Sequence, residues 1–110
     1  MLKRLTIFID IDGTVCEEGP RETRLERKPI SGAVDIVNSY NEHHRVVFWT
    51  ARGWDEYDGT KAWLDKHGFL YDQLIMGKPI AHIWIDDRVR EFKGWDKDYL
   101  SEVLQKYEKN

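Results

Sequence analysis

The stretch Leu5 to Thr14 (LTIFIDIDGT) constrains the fold of this chain more than any other. Leu5 to Ile9 is apolar and largely β-branched, the pattern of a buried strand. The run stops at Asp10 and Asp12, two carboxylates one residue apart, followed by Gly13 and Thr14. Desolvating one unpaired carboxylate is costly, and a second beside it adds repulsion. A strand that ends this way implies a compensating cation, or chemistry performed at its end.

Three further apolar bursts read as strands: Arg45–Trp49, Gln73–Met76 and His82–Ile85, after a first strand over Arg4–Asp10. Between them lie segments with helical spacing. Ala33, Ile36, Val37 and Tyr40 predict a helix from Ser31, its candidate N-cap, to about Glu42. Trp63 and Leu64 predict a second helix over about Thr60–His67, stopped by Gly68. Tyr99, Leu100, Val103, Leu104 and Tyr107 predict a third over about Asp96–Lys109. Strands alternating with helices imply an α/β three-layer sandwich, with a mainly parallel sheet covered on both faces. All strands then end along one edge, where open α/β sheets bind ligands. Asp10 and Asp12, Thr50, Lys78, and Asp86 with Asp87 each follow one of the four expected strands. Their convergence is the strongest functional signal in the sequence.

That residue set suits phosphoryl transfer from a monoester. Asp10 can attack phosphorus and form an aspartyl-phosphate. Asp12 can protonate the leaving oxygen and then activate water. Thr50 can donate a hydrogen bond to a phosphoryl oxygen, and Lys78 can set a positive charge against the others. Mg²⁺ is the expected cofactor, held by oxygen ligands from Asp10, Asp86 or Asp87 and the Asp12 carbonyl. Gly13, Thr14, Ala51 and Arg52 flank these groups and are the candidate substrate-binding positions. Arg52 and Arg88 serve equally well as ion-pair partners. Trp54 and Tyr57, in the loop after Thr50, can present aromatic faces to a sugar or base or simply pack. The flap cations Arg21, Arg24, Arg27 and Lys28 alternate with glutamates, which suits a solvated face or the attraction of an anionic substrate.

Asp10-Ile11-Asp12-Gly13-Thr14, Thr50, Lys78 and Asp86-Asp87, in that order, resemble the four motifs of the haloacid dehalogenase (HAD) superfamily. The resemblance implies a Rossmann-like core, Asp10 as nucleophile and Asp12 as acid/base. An Asp at the second motif position is typical of the family's phosphatases and mutases. Phe48-Trp49-Thr50-Ala51-Arg52-Gly53 and Ile75-Met76-Gly77-Lys78-Pro79 are also similar to small capsule-biosynthesis-type and phage-borne members. Neither Cys16–Lys28 nor Ala51–Gly77 is long enough for the family's globular cap, so a capless, open site is expected, with Gly13–Lys28 as a flap.

At 110 residues, residues 1–110 form one expected domain. The net charge of −3 lacks the basic bias of a nucleic-acid binder, so nucleic acid enters only as a substrate. A single cysteine, Cys16, fits a reducing compartment, and no stretch reads as a signal peptide or membrane span, so a cytoplasmic location is expected. The expected partner is a phosphorylated small molecule or polymer end, with a homo-oligomer open. Two other classes share some of these residues: a phospho-acceptor signalling module, and an idle subunit that binds an anion or partner. The first places its Lys after the last strand, whereas here an acidic pair follows Lys78.

Overall fold

The structure, a computed structural model, describes residues 4–108. Strands β1 (Thr6–Ile9), β2 (Arg45–Trp49) and β3 (Gln73–Ile75) pair in parallel in the order β1-β2-β3. Helices α1 (Ala33–His43), α2 (Tyr57–Lys66) and α3 (Ser101–Glu108) follow β1, β2 and β3 in the chain, and short 3₁₀ helices cover Arg21–Glu26 and Trp54–Glu56. This is an α/β arrangement, as the alternating pattern implies.

Register explains the core. Ile9 lies opposite Phe48, and Phe48 opposite Leu74, so these side chains share one sheet face. Ala33 and Val37 of α1 and Trp63 and Leu64 of α2 join them in a single apolar cluster. Phe48 is fully buried and meets Phe69 and Tyr71 edge-on at 5.6 and 5.5 Å. His44 is also buried. Burial lowers its pKa, and as a neutral ring its Nδ1 accepts the Leu5 N–H at 3.1 Å, fixing the entry to β1 beside β2.

Helix boundaries depart from expectation at identifiable residues. Gly32, not Ser31, caps α1, at φ 87°, and a Cβ there would lie 3.2 Å from the Trp95 Cβ. In α3 the start moves to Ser101, because Asp98 accepts the N–H groups of Leu100 and Ser101, both at 3.0 Å.

The larger correction concerns the fourth strand. Among the described residues, His82–Ile85 pairs with no strand, and residues 81–90 are all exposed. Ile83 and Ile85 are 72% and 91% exposed. An apolar burst identifies an extended segment but carries no information on whether a neighbour completes its ladder. The three-layer expectation changes with it. The opposite sheet face bears Phe8, 53% exposed, the buried Val47, and Trp49, none of which belongs to the main apolar cluster. Trp84 reaches this face, meeting Trp49 at 5.9 Å, and Trp49 meets Phe8 at 5.7 Å.

Phe48→Ala should cost about 3–5 kcal/mol of stability, from lost burial plus the cavity left among Phe69, Tyr71 and Leu74. Urea denaturation followed by far-UV circular dichroism measures it. An unchanged midpoint would refute this view of the core.

Candidate active site

Three strand ends meet at one edge. Asp10 directly follows β1 and Thr50 directly follows β2. The Thr50 carbonyl accepts the Lys78 N–H at 2.8 Å, which ties the segment after β3 to the end of β2. Lys78 then extends toward Asp10, with Nζ 4.0 Å from Oδ2. Its ammonium also lies over the rings of Trp49 and Trp84, 5.5 and 5.9 Å from their centroids. The Asp10 side chain remains 36% exposed, so the edge is open to solvent rather than sealed. Burial raises the Asp10 pKa; Lys78 and the Ile11 N–H oppose it, while Asp12 and Glu18 add to it.

The chain turns sharply after Asp10. Gly13 takes φ 84°, and the Ile11 carbonyl accepts the N–H groups of Thr14 and Val15 at 3.1 and 2.9 Å. Glycine adopts that φ without the steric cost that a Cβ imposes. Within this turn the Asp12 carboxylate meets Arg52. Nε of Arg52 donates to Asp12 Oδ2, and Nη2 to Oδ1, each at 2.9 Å. Arg27 Nη1 also donates to Oδ1, at 3.3 Å. Burial alone would raise the Asp12 pKa, but the hydrogen bonds and charge of Arg52 outweigh it and hold the carboxyl below its ordinary range.

Not every expected residue joins this edge. Thr50 does, through its backbone, although its side chain is almost fully buried and its Oγ1 accepts the Arg52 N–H at 3.2 Å. Arg52, a candidate substrate-binding residue, is 3% exposed and committed to Asp12 and Thr60. Ala51 is exposed beside it, Gly13 is exposed in the turn, and Thr14 is half-buried. Asp86 and Asp87 lie in the unpaired segment, where Asp86 Oδ1 accepts the Arg88 N–H at 3.0 Å. Among the described residues, no group of three or more His, Cys, Asp or Glu side chains is arranged to hold a metal ion. The arrangement therefore does not fit Mg²⁺: the carboxylates expected to share it with Asp10 are not gathered around Asp10.

No family model matches the sequence, and no curated protein matches it. Solved structures do resemble the fold. A structural-genomics target from Vibrio cholerae aligns with a TM-score of 0.74 at 25% identity, over 94% of this chain and 97% of that one. A chain of the Pnkp1/Rnl/Hen1 complex aligns with a TM-score of 0.58 at 17% identity. That alignment covers 76% of this chain but 31% of the larger one, and it speaks to fold alone.

The flap's cations are mostly occupied. Arg21 pairs with Asp55 at 2.5 Å, and Arg24 donates to both oxygens of Glu56 at 2.7 and 2.8 Å. These bonds join the flap to the loop after β2. Trp54, in that loop, is 62% exposed and stacks on Tyr57 at 5.7 Å, so it lies outside the core. Trp63 and Trp95 do pack in the core. The Arg27 and Thr60 contacts had no signal in local spacing, since Arg27 is 15 residues from Asp12 and Thr60 is 8 from Arg52. Only the topology brings them together. Among the described residues, no helix is long and apolar enough to cross a membrane.

Cys16 lies against this cluster, fully buried, with Sγ 3.6 Å from Asp12 Oδ1. Burial, and then the Asp12 charge, push its thiol up to about 11. At pH 8 only about one thiol in 10³ is then ionised, so alkylation by iodoacetamide should be far slower in the native protein than in denaturant. Equal rates in the two states would contradict this burial.

Proposed function

We propose that this chain is a HAD-type phosphomonoesterase acting through an aspartyl-phosphate on Asp10. The observation that carries the reading is the meeting of Asp10, Thr50 and Lys78 at the open edge, with Lys78 Nζ 4.0 Å from Asp10 Oδ2. Charge of opposite sign beside a half-exposed carboxylate suits attack on an anionic phosphoryl group. An Asp10 carboxylate oxygen forms a bond to phosphorus while the ester P–O bond breaks. The departing alkoxide takes its proton from solvent, because Arg52 holds Asp12 ionised at the start of the cycle. Water then attacks the aspartyl-phosphate and gives its proton to Asp12, the P–O bond to Asp10 breaks, and inorganic phosphate leaves. Lys78 neutralises the phosphoryl oxygens, and the Thr50 hydroxyl donates to one of them. The open edge suits a phosphorylated small molecule or the end of a phosphorylated polymer, in the cytoplasm.

Mg²⁺ enters this reading through a conformational requirement. In the proposed Rossmann-like core, His82–Ile85 adds to the free edge of β1 as a fourth strand and carries Asp86 and Asp87 toward Asp10. Two features support that addition: β1 is an edge strand, and Ile83 and Ile85 are apolar yet exposed. No catalytic step above is derived through the ion.

Purified protein with Mg²⁺ should release phosphate from p-nitrophenyl phosphate and stop when the metal is chelated. Asp10→Asn should reduce turnover at least about 10³-fold, since it removes the nucleophile. Equal turnover by wild type and Asp10→Asn would reject the proposal. Adding Mg²⁺ with a phosphate mimic should slow amide exchange at Ile83 and Ile85, and unchanged exchange would reject the added strand.

A further inference from the structure

Arg52 is the least expected residue of the site. Its guanidinium carries a permanent charge, yet the side chain is 1% exposed. A buried cation persists only where its donors are filled. Nε and Nη2 engage both oxygens of Asp12 at 2.9 Å, Nη1 donates to Thr60 Oγ1 at 3.0 Å, and Nη2 lies 3.9 Å from Cys16 Sγ. The Arg52 backbone is held as firmly. Its N–H reaches Thr50 Oγ1 at 3.2 Å, and its carbonyl accepts the Gly77 N–H at 2.9 Å. Turning this side chain out to bind a substrate would strand Asp12 and Thr60 together.

Arg27 holds the same carboxylate from the flap. Besides donating to Asp12 Oδ1, it donates to the Glu17 carbonyl at 2.8 Å, to Thr23 Oγ1 at 3.0 Å and to the Pro20 carbonyl. Its own carbonyl accepts the Trp63 indole N–H at 2.8 Å, anchoring the end of the flap on α2. Asp12 is thus gripped from the core by one arginine and from the flap by another.

Counting lone pairs separates the two oxygens. Oδ1 accepts from Arg52 and Arg27 and faces the Cys16 thiol, so its sites are filled. Among the described residues, Oδ2 accepts only from Arg52 Nε and keeps a site open. We propose that Arg52 and Arg27 are positioning residues that present Asp12 Oδ2 as the proton-handling atom, with Arg27 making that orientation depend on the folded flap. The proposal rests on the phosphatase reading above. In the second half-reaction, water forms its bond to phosphorus and passes a proton to Oδ2. The bond between phosphorus and Asp10 breaks, and its electron pair returns to the Asp10 carboxylate.

Rapid-quench kinetics with p-nitrophenyl phosphate test this, because a good leaving group needs little acid help in the first step. Arg27→Met keeps the aliphatic stem and removes the fork. It should retain the burst of p-nitrophenol, accumulate phosphoryl-enzyme detectable by mass spectrometry, and lower steady-state kcat and KM together about 10- to 100-fold, leaving kcat/KM nearly unchanged. Arg27→Lys should restore part of kcat. Amide exchange gives a readout independent of turnover: Asp12→Asn should speed exchange across residues 17–27. A variant whose burst and steady state fall together, or neither of which changes, overturns the positioning role while leaving the phosphatase reading intact. Unchanged flap exchange in Asp12→Asn overturns the coupling to the flap. Wild-type protein that forms no phosphoryl-enzyme overturns both readings.

Discussion

The ion pair between Arg52 and Asp12 is the constraint on which the rest of the site depends. It joins the turn after β1 to the turn after β2, and through Thr60 and Arg27 it reaches α2 and the flap. Both groups are largely removed from water, so their attraction is weakly screened, but both have also lost hydration. Such a pair adds little net stability compared with apolar residues of the same shape. Its strength lies elsewhere: removing one partner leaves a buried charge unpaired, at about 3–5 kcal/mol. The four segments are thereby held to a single arrangement, and the Asp12 carboxylate has one orientation available within it.

Asp10 occupies a different environment, although it is only two residues away. It faces the open edge and Lys78, while Asp12, 14% exposed, is paired with Arg52. The opposite shifts in their pKa follow from this difference. Burial dominates at Asp10, whereas at Asp12 the Arg52 hydrogen bonds and charge overcome it. Two carboxylates that would repel each other on a bare strand end are accommodated by giving each its own cation. Lys78 is in turn steadied by the faces of Trp49 and Trp84, which places Trp84 of the unpaired segment beside the reactive edge.

Much of this was legible in the sequence. Periodicity located β1, β2 and β3 and all three α-helices, because alternating apolar bursts and helical stripes record which face is buried. The α/β class and the meeting of Asp10, Thr50 and Lys78 followed from strand order alone. The fate of His82–Ile85 did not, since Ile83, Trp84 and Ile85 satisfy the composition of a strand without stating a partner. The role of Arg52 was equally hidden. Beside Thr50 it reads equally as a substrate contact or an ion-pair partner, and only the topology identifies that partner as a carboxylate 40 residues earlier. Cap positions were missed for local reasons, as at Asp98, whose carboxylate stops the chain from entering α3 sooner.

The most direct test of the central claim is to find where a phosphoryl group becomes attached during turnover. Wild-type protein quenched during reaction with an aryl phosphate, reduced with borohydride and mapped by peptide mass spectrometry should carry its modification at Asp10. Modification at another residue, or phosphate release with no covalent intermediate at any time point, would contradict the account.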